Sequence, residues 1–245
     1  MKVSSGFDQC RAFIDAHARA GQKARAAHLD SVKCVTISRQ SGCGAHAFAE
    51  HLAEWLQVHL PSAPAPWTIF DGDLVEAVLR DHHLPARLAA FMPEDKVPQI
   101  NDIVENVLSL HPPTELLVRH TAETILRLAE LGNVILLGRG STIITAQLPG
   151  VLHVRLIGSL KQRVAHMQQF DKITEREALA RIKREDGGRA RYLRRYFRAD
   201  IADPLHYHLV INTDCIALAA AAELVGGLAL RPPGFTAASS IKAAA

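Results

Sequence analysis

Residues 35–49 read VTISRQSGCGAHAFA, and this stretch decides the fold of the chain. A β-branched run from Val32 to Ile37 predicts a buried strand, and a small, polar turn with two glycines follows over 38–44. The turn leads into a helical pattern whose apolar face is formed by Phe48, Leu52, Trp55 and Leu56. This order is typical of a phosphate cradle, because glycines let the backbone approach an anion and a helix N-terminus presents unpaired N–H groups.

The turn matches the strict phosphate-loop pattern G-x-x-x-x-G-K-[ST] only in part. Gly44 stands at the second glycine. Arg39 replaces the first glycine and Ala45 replaces the lysine, and neither His46, which follows the lysine position, nor Ala47 carries a hydroxyl group. Taken alone, the stretch is as compatible with a tight turn that binds no ligand as with a phosphate site.

The composition indicates a globular protein with little overall charge. The chain has 245 residues, of which 48% are hydrophobic, and this suits one large domain. The net charge of +3 does not favour a nucleic-acid partner. The positive charge is concentrated in residues 181–200, which contain eight Lys/Arg and three Asp/Glu. This segment predicts binding to an anion.

The cysteines and the apolar segments predict a cytoplasmic protein. The four cysteines share no C-x-x-C spacing, so zinc is not predicted, and such scattered thiols favour a reducing compartment: Cys10, Cys34, Cys43 and Cys215. The N-terminus lacks an apolar signal-peptide core. The apolar stretch 215–230 is too short for a membrane span and is interrupted by Glu223.

Apolar strand patterns alternate with helical patterns along the chain and predict a parallel α/β sheet with right-handed crossovers. The predicted strands lie at 32–37, 67–70, 133–137, 151–156 and 206–212. We expect a helical extension over 1–30, packed on the domain surface or in a dimer contact, before a core domain over 31–230. Within the core domain, 82–131 predicts a helical substrate-binding insertion and 174–200 predicts a lid. The Pro/Gly/Ser/Ala-rich tail over 231–245 is expected to be flexible.

Two residues at strand ends are candidate ligands, since α/β sheets bind ligands at the carboxyl ends of their strands. Asp71 follows the second predicted strand, although an Asp there is as well explained as a helix N-cap. Arg139 lies between two glycines after the third strand and suits a forked contact to phosphate; the alternative is a solvated loop arginine.

The lid segment carries a series of arginines on a predicted helix over 174–198, with a break expected at Gly187-Gly188: Arg189, Arg191, Arg194, Arg195 and Arg198. An exposed charged face is the usual explanation. Here acidic partners are few, which favours a mobile lid that closes on phosphates. Four histidines lack an i, i+4 pair, so no metal site is predicted from His82, His83, His111 and His120.

Taken together, the motifs resemble the cytidylate kinase-like family of P-loop nucleoside monophosphate kinases over about residues 32–226. The resemblance rests on TISRQSGCGAHAFA (36–49), VILLGRG (134–140), REDGGRARYLRRYF (184–197) and DPLHYHLVINTD (203–214). It implies a three-layer α/β P-loop NTPase fold with a five-stranded parallel sheet of order 2-3-1-4-5, a helical insertion and an arginine-rich lid. It further implies transfer of the γ-phosphoryl group from ATP–Mg²⁺ to a nucleoside monophosphate such as CMP or dCMP.

The resemblance also implies roles for individual residues. The donor nucleotide is expected at Arg39, Ser41, Gly42, Cys43, Gly44, Ala45, His46 and Ala47. From their charge and position, we expect Arg39 or His46 to replace the missing lysine in part. The acceptor is expected at Asp71 and Arg139, and the lid is expected to contribute Asp186, Arg189, Arg194 and Arg195 to catalysis.

The chain departs from cytidylate kinases at Ala45 and Ala47, at Gly140 in place of an aspartate, and at Val75-Glu76 near the expected tyrosine-arginine. The first departure leaves open a nucleotide-binding regulatory module without turnover. An RNA- or DNA-binding protein is the weakest alternative, because no aromatic stacking pattern is present.

Overall fold

The computed structural model describes residues 12–17, 32–60, 65–72, 99–104 and 116–230. The predicted tail over 231–245, most of the extension over 1–30 and most of the insertion over 82–131 lie outside these ranges. Where the extension and the insertion are described, at 12–17, 99–104 and 116–131, they are helical.

A parallel sheet forms the centre of the fold. Its five strands are β1 (Cys34–Arg39), β2 (Thr68–Phe70), β3 (Val134–Leu137), β4 (Val151–Ile157) and β5 (Leu209–Asn212). All neighbouring strands run parallel in the order β2-β3-β1-β4-β5, which confirms the predicted sheet. β1 is central, with Val35 in register with Ile135 on one side and Leu152 on the other.

Helices cover both faces of the sheet, as the near-continuous apolar strands require. In chain order they are α1 (Ala45–His59), α2 (Leu116–Leu131), α3 (Ser141–Ile144), α4 (Leu160–Asp171), α5 (Glu175–Phe197) and α6 (Leu218–Ala229). α1 and α6 contribute to the apolar core on one face, and α2 contributes to the core on the other face together with residues of 12–17 and 99–104. None of the helices in the described ranges is long and apolar enough to cross a membrane.

α5 continues through Gly187-Gly188 as one 23-residue helix, so the predicted break is wrong. Each glycine disfavours a helix by about 1 kcal/mol relative to alanine. Three features offset this cost: a capping box between Thr174 and Glu177, packing of Ala178 and Ile182 against α4, and salt bridges that span the turns around the glycines. Tertiary packing therefore outweighs the local signal of the glycine pair.

Candidate functional site

An open cleft of about 1130 Å³ lies at the carboxyl ends of β1, β2 and β3, beneath α5. Its lining includes most of the site residues predicted from the sequence: Arg39, Ser41, Gly42, Cys43, Gly44, Ala45, His46, Ala47, Asp71, Arg139 and Arg189. Parallel strands end at one edge of the sheet, which is why residues so far apart in sequence share one cleft.

The turn between β1 and α1, residues 40–44, is called the phosphate turn below. Gly42 has φ 87° and Gly44, the N-cap of α1, has φ 69° without a side-chain cap. Across the described ranges, no protein acceptor pairs with the backbone N–H groups of Gly42 or of residues 44–47. The Phe48 N–H is the first in α1 to pair, with the Gly44 carbonyl at 3.0 Å. These N–H groups and the helix dipole form a site for an anion.

Close packing also requires both glycines of the phosphate turn. A Cβ on Gly42 would lie 2.5 Å from the Arg163 carbonyl oxygen, and one on Gly44 would lie 2.6 Å from Leu218 Cδ1. The left-handed φ of both residues adds strain for any side chain. Contacts with α4 and α6 therefore leave no room for a side chain at either position, which explains why both residues are glycine.

Two carboxylates from α5 bind the phosphate turn at Ser41. The Ser41 N–H donates to Asp186 Oδ1 at 2.8 Å, and the Ser41 hydroxyl donates to Glu185 Oε2 at 2.8 Å. Arg189 joins this group through Nη1, which donates to Ser41 Oγ at 2.6 Å and to Asp186 Oδ1 at 2.9 Å. Asp186 and Arg189, both predicted as lid residues, thus connect α5 to the turn in this structure. Sequence analysis did not single out Glu185.

Two further arginines neutralise these carboxylates. Arg163 Nη1 donates to Asp186 Oδ2 at 2.7 Å and to the Ser41 carbonyl at 3.2 Å, and Arg181 Nε donates to Glu185 Oε1 at 2.8 Å. Burial alone would raise the pKa of Glu185, but hydrogen bonds from Arg181 and Ser41 lower its pKa overall. Glu185 is therefore held as a carboxylate at neutral pH.

Arg39 and Arg139 bring positive charge to the floor of the cleft. Burial, together with the charges of Arg189 and Arg139, lowers the pKa of Arg39 to about 10. The Arg139 guanidinium packs over the end of β2, so that a Cβ on Gly72 would lie 2.7 Å from Arg139 Nε. Tyr192 of α5 completes this side of the cleft, and burial raises its pKa to about 12. The concentrated positive charge favours an anionic ligand.

A second glycine turn, residues 138–140, follows β3. Its three residues all have left-handed backbone angles, with φ 87° at Gly138, 54° at Arg139 and 74° at Gly140. This conformation costs about 1–2 kcal/mol at a non-glycine residue. A Cβ on Gly140 would lie 2.9 Å from the Phe197 ring, so the ring would have to shift to accommodate the aspartate that the resemblance implies at this position.

A buried arginine that sequence analysis missed lies behind the cleft. Arg155 of β4 is 6% exposed, and its Nη1 donates to Ser38 Oγ at 2.8 Å and to the Tyr207 hydroxyl at 3.4 Å. Within the described ranges no carboxylate forms an ion pair with it. Ser38 and Tyr207 both line the cleft. An arginine in the otherwise apolar strand VLHVRLI was the available signal.

Arg194 and Arg195 lie apart from this cluster. Both are exposed on α5 and neither lines the cleft, and the Arg195 guanidinium lies 5.5 Å from the centre of the Tyr196 ring. Asp186 also does not line the cleft, because it lies behind Ser41 against Arg163.

The site residues fit the phosphates of a nucleotide but do not form a magnesium centre. Free backbone N–H groups and arginines are the donors that phosphate oxygens require. In the part of the chain that the structure describes, no group of three or more His, Cys, Asp or Glu residues could hold a metal ion. Ala47 supplies no hydroxyl, and Glu185 and Asp186 are paired with arginines.

Comparison with known proteins gives one family and one fold. A model of the cytidylate kinase-like family matches residues 34–215. A crystal structure of an uncharacterized protein from Eubacterium ventriosum ATCC 27560 has the same fold, with a TM-score of 0.60 and 17% identity, over 80% of this chain and 97% of that chain. No curated protein shows significant sequence similarity to the chain.

Proposed function

The chain belongs to the cytidylate kinase-like family, and we propose that it transfers the γ-phosphoryl group of ATP to a nucleoside monophosphate such as CMP or dCMP. One observation carries the proposal. The unpaired N–H groups at the start of α1 and the guanidinium groups of Arg39, Arg139 and Arg189 converge on a single cleft. Phosphoryl transfer depends on positioning and on neutralising charge, and these groups supply both.

The proposed step exchanges one P–O bond for another. An oxygen of the acceptor phosphate forms a bond to the γ-phosphorus of ATP. The bond from that phosphorus to the β,γ-bridging oxygen breaks, and ADP leaves with the electron pair. The products are ADP and a nucleoside diphosphate, and no oxidant or reductant takes part.

The proposed roles follow from the position of each group. The N–H groups of Gly42 and residues 44–47 bind donor phosphate, and Cys43 lies between them. Arg139 and Asp71, at the ends of β3 and β2, bind the acceptor. Arg189 reaches the phosphate turn from α5 and neutralises the transferring group. Arg194, Arg195 and Asp186 belong to this proposal as lid residues, and the first two would have to move toward the cleft.

Magnesium would accompany ATP as a charge-neutralising ion on the phosphates. The described residues build no metal centre of their own, so phosphate oxygens and water would supply most of its ligands. We place the reaction in the cytoplasm. The free thiols of Cys34, Cys43 and Cys215 support a reducing compartment.

A nucleotide-binding module without turnover is the second candidate function. Two observations favour it. Ala45 lacks the amine of a standard phosphate loop, and neither His46 nor Ala47 carries its hydroxyl. In addition, Glu185 and Asp186 already occupy the hydroxyl and the N–H group of Ser41.

Titration separates the two functions. ATP–Mg²⁺ is added with a panel of nucleoside monophosphates, and both nucleotide binding and ADP formation are measured. The proposed kinase binds ATP and forms ADP in proportion to one preferred acceptor. Binding without acceptor-dependent ADP would favour the regulatory module, and no binding at all would exclude both functions.

A further inference from the structure

We propose that Arg39 is the cation that compensates for the missing lysine of the phosphate turn, by binding the β- and γ-phosphoryl oxygens of the donor nucleotide. The inference rests on the proposed function, because it assumes a nucleoside triphosphate in the cleft. In other phosphate loops the lysine that binds these oxygens lies at the start of the helix, whereas Arg39 lies at the end of a strand.

The position of Arg39 is the first support. Arg39 is the last residue of β1 and lines the cleft immediately before the phosphate turn. Its Nη1 lies against Gly138 at the end of the neighbouring strand β3, where no Cβ could be accommodated. The guanidinium therefore lies beside the residue that precedes Arg139. Under the proposed function, donor phosphates at the phosphate turn and an acceptor at Arg139 meet in this part of the cleft.

The availability of Arg39 is the second support. The neighbouring Arg163, Arg181 and Arg189 all form ion pairs with Glu185 or Asp186. Among the described residues, none forms a hydrogen bond or an ion pair with the Arg39 side chain. Glu185 and Asp71 are near enough to raise its pKa without pairing with it. Its guanidinium therefore stays ionised at neutral pH and keeps its donors for a ligand.

The surroundings of position 45 are the third support. Ala45 lines the cleft at the first turn of α1 but ends in a methyl group, so the turn lacks the side-chain donor of a standard phosphate loop. Arg39 is close enough to Arg139 and Arg189 for their charges to disfavour its ionised form. A polyphosphate between these cations would relieve that repulsion and accept a forked pair of hydrogen bonds from Arg39.

The test moves the positive charge from position 39 to position 45. Arg39→Met keeps an apolar stem against Gly138 without the charge, Arg39→Lys keeps a charge, and the double variant Arg39→Met/Ala45→Lys places the cation at the usual position. Arg176→Ala, an exposed arginine on α5 outside the cleft, is the matched control. The measurements are the dissociation constants of a non-hydrolysable ATP analogue and of AMP, with AMP measured by displacement of the analogue, and the melting temperature.

We expect Arg39→Met to weaken binding of the ATP analogue about 10- to 100-fold, as loss of a hydrogen bond to a charged group does. AMP lacks the β- and γ-phosphates, so Arg39→Met is expected to bind AMP with the affinity of the wild type. Arg39→Lys is expected to lie between the wild type and Arg39→Met, and Ala45→Lys is expected to restore most of the loss in the double variant.

Three results would overturn the assignment. One is an Arg39→Met protein that binds the analogue like the wild type. Another is an equal loss for AMP and the analogue with a lower melting temperature, which indicates a packing role against Gly138. The third is a double variant with no recovery. A wild type that binds the analogue but forms no ADP would refute the proposed transfer while leaving this test decisive, and a wild type that binds no nucleotide would refute both.

Discussion

The two glycine turns of the cleft have the same plan but differ in the hydrogen bonding of two backbone N–H groups. Both follow a buried parallel strand and lead into a helix through a left-handed glycine N-cap without a side-chain cap, Gly44 in the phosphate turn and Gly140 in the second turn. In the second turn the N–H groups of Ser141, Ile143 and Ile144 donate to the carbonyls of Gly138 and Gly140. In the phosphate turn, within the described residues, the N–H groups of Ala45 and Ala47, which correspond to those of Ser141 and Ile143, have no protein acceptor. Phe48 donates to the Gly44 carbonyl as Ile144 does to Gly140.

This difference shows how one kind of turn can offer two kinds of ligand contact. The phosphate turn offers backbone N–H groups, which carry no side-chain specificity and suit any phosphate. The second turn satisfies much of its own backbone and offers the guanidinium of Arg139 instead. We therefore expect substitutions in the two turns to have different signatures, and the following predictions test that expectation.

The largest effect on turnover is expected at Arg189, whose side chain donates a hydrogen bond to Ser41 of the phosphate turn. Arg189→Ala should lower turnover about 10³-fold, as loss of an arginine on a transferring phosphoryl group does, while weakening ATP binding far less. The measurement is steady-state ADP formation alongside ATP affinity, with Arg176→Ala as the control. Turnover equal to that of the wild type would remove Arg189 from the reaction.

Arg194→Ala and Arg195→Ala extend the same test to the exposed part of α5. A loss close to that of Arg189→Ala would show that the helix moves toward the cleft during turnover.

The backbone of the phosphate turn should tolerate change least. Gly42→Ala combines φ 87° with a Cβ 2.5 Å from the Arg163 carbonyl oxygen. We expect a loss of stability of about 2–4 kcal/mol and a melting temperature lower by about 5–10 °C. Gly140→Asp should cost less, about 1–2 kcal/mol, because its Cβ meets a ring 2.9 Å away and aspartate tolerates this backbone better.

Thermal melts measure both changes. Gly227→Ala in α6, where a Cβ meets nothing within 4 Å, is the control and should leave stability unchanged or raise it by up to about 1 kcal/mol. A Gly42→Ala protein as stable as the wild type would show that the turn is less constrained than its packing indicates.

The Arg139 side chain of the second turn should affect the use of the acceptor but not the binding of ATP. Arg139→Ala is expected to lower kcat/KM for the monophosphate about 10- to 100-fold, because a charged hydrogen bond is lost, while the affinity for ATP is unchanged. Initial rates at varied acceptor concentration, with ATP affinity measured separately, give both quantities. An equal loss in both would show that the two turns share one ligand.

The smallest effect concerns a chain of buried polar side chains that joins β1, α3 and β4. Thr36 Oγ1 of β1 lies 3.1 Å from Thr142 Oγ1 of α3 and 2.8 Å from His153 Nδ1, and the His153 ring stacks on His208. Burial, with a contribution from His208, lowers the pKa of His153 to about 3 from its usual 6.5. The neutral ring therefore stabilises the fold above pH 6.5, and stability falls as the pH decreases from 6.5 toward 3.

The expected slope is about 1.4 kcal/mol per pH unit at most. Chemical denaturation between pH 7 and pH 4 would measure it. In His153→Gln the slope should become shallower, whereas the exposed His120→Gln on α2 should keep the slope of the wild type. Identical slopes in the wild type and His153→Gln would show that the acid sensitivity arises elsewhere.

The sheet was predictable because its signals are local. The apolar strands alternate with helices, and the motifs that resemble cytidylate kinases fix their order. The candidate cleft followed from the rule that parallel strands end at one edge, which gave Asp71 and Arg139 as neighbours of the phosphate turn. The hydrogen bonds and ion pairs inside the cleft could be identified only from the structure.

The errors and omissions of sequence analysis have physical causes. Glu185 and Arg163 act on Ser41 across more than a hundred residues, and no periodicity records such a contact. Arg155 is part of an apolar strand, so its isolation from carboxylates becomes visible only in three dimensions. The glycine pair in α5 suggested a break because propensity is local, while packing against α4 is not.

The carboxylates of Glu185 and Asp186 act on Ser41 as a competitor that the protein carries within its own chain. An intramolecular anion of this kind has an effective concentration that is set by the fold and does not depend on the surrounding solution. This competition is confined to Ser41, because among the described residues the N–H groups of Gly42 and of residues 44–47 have no protein acceptor. A polyphosphate that engages several of these N–H groups and the arginines at once gains avidity over sulfate or a single phosphate, so we expect affinity to rise with the number of phosphate groups before any base is recognised.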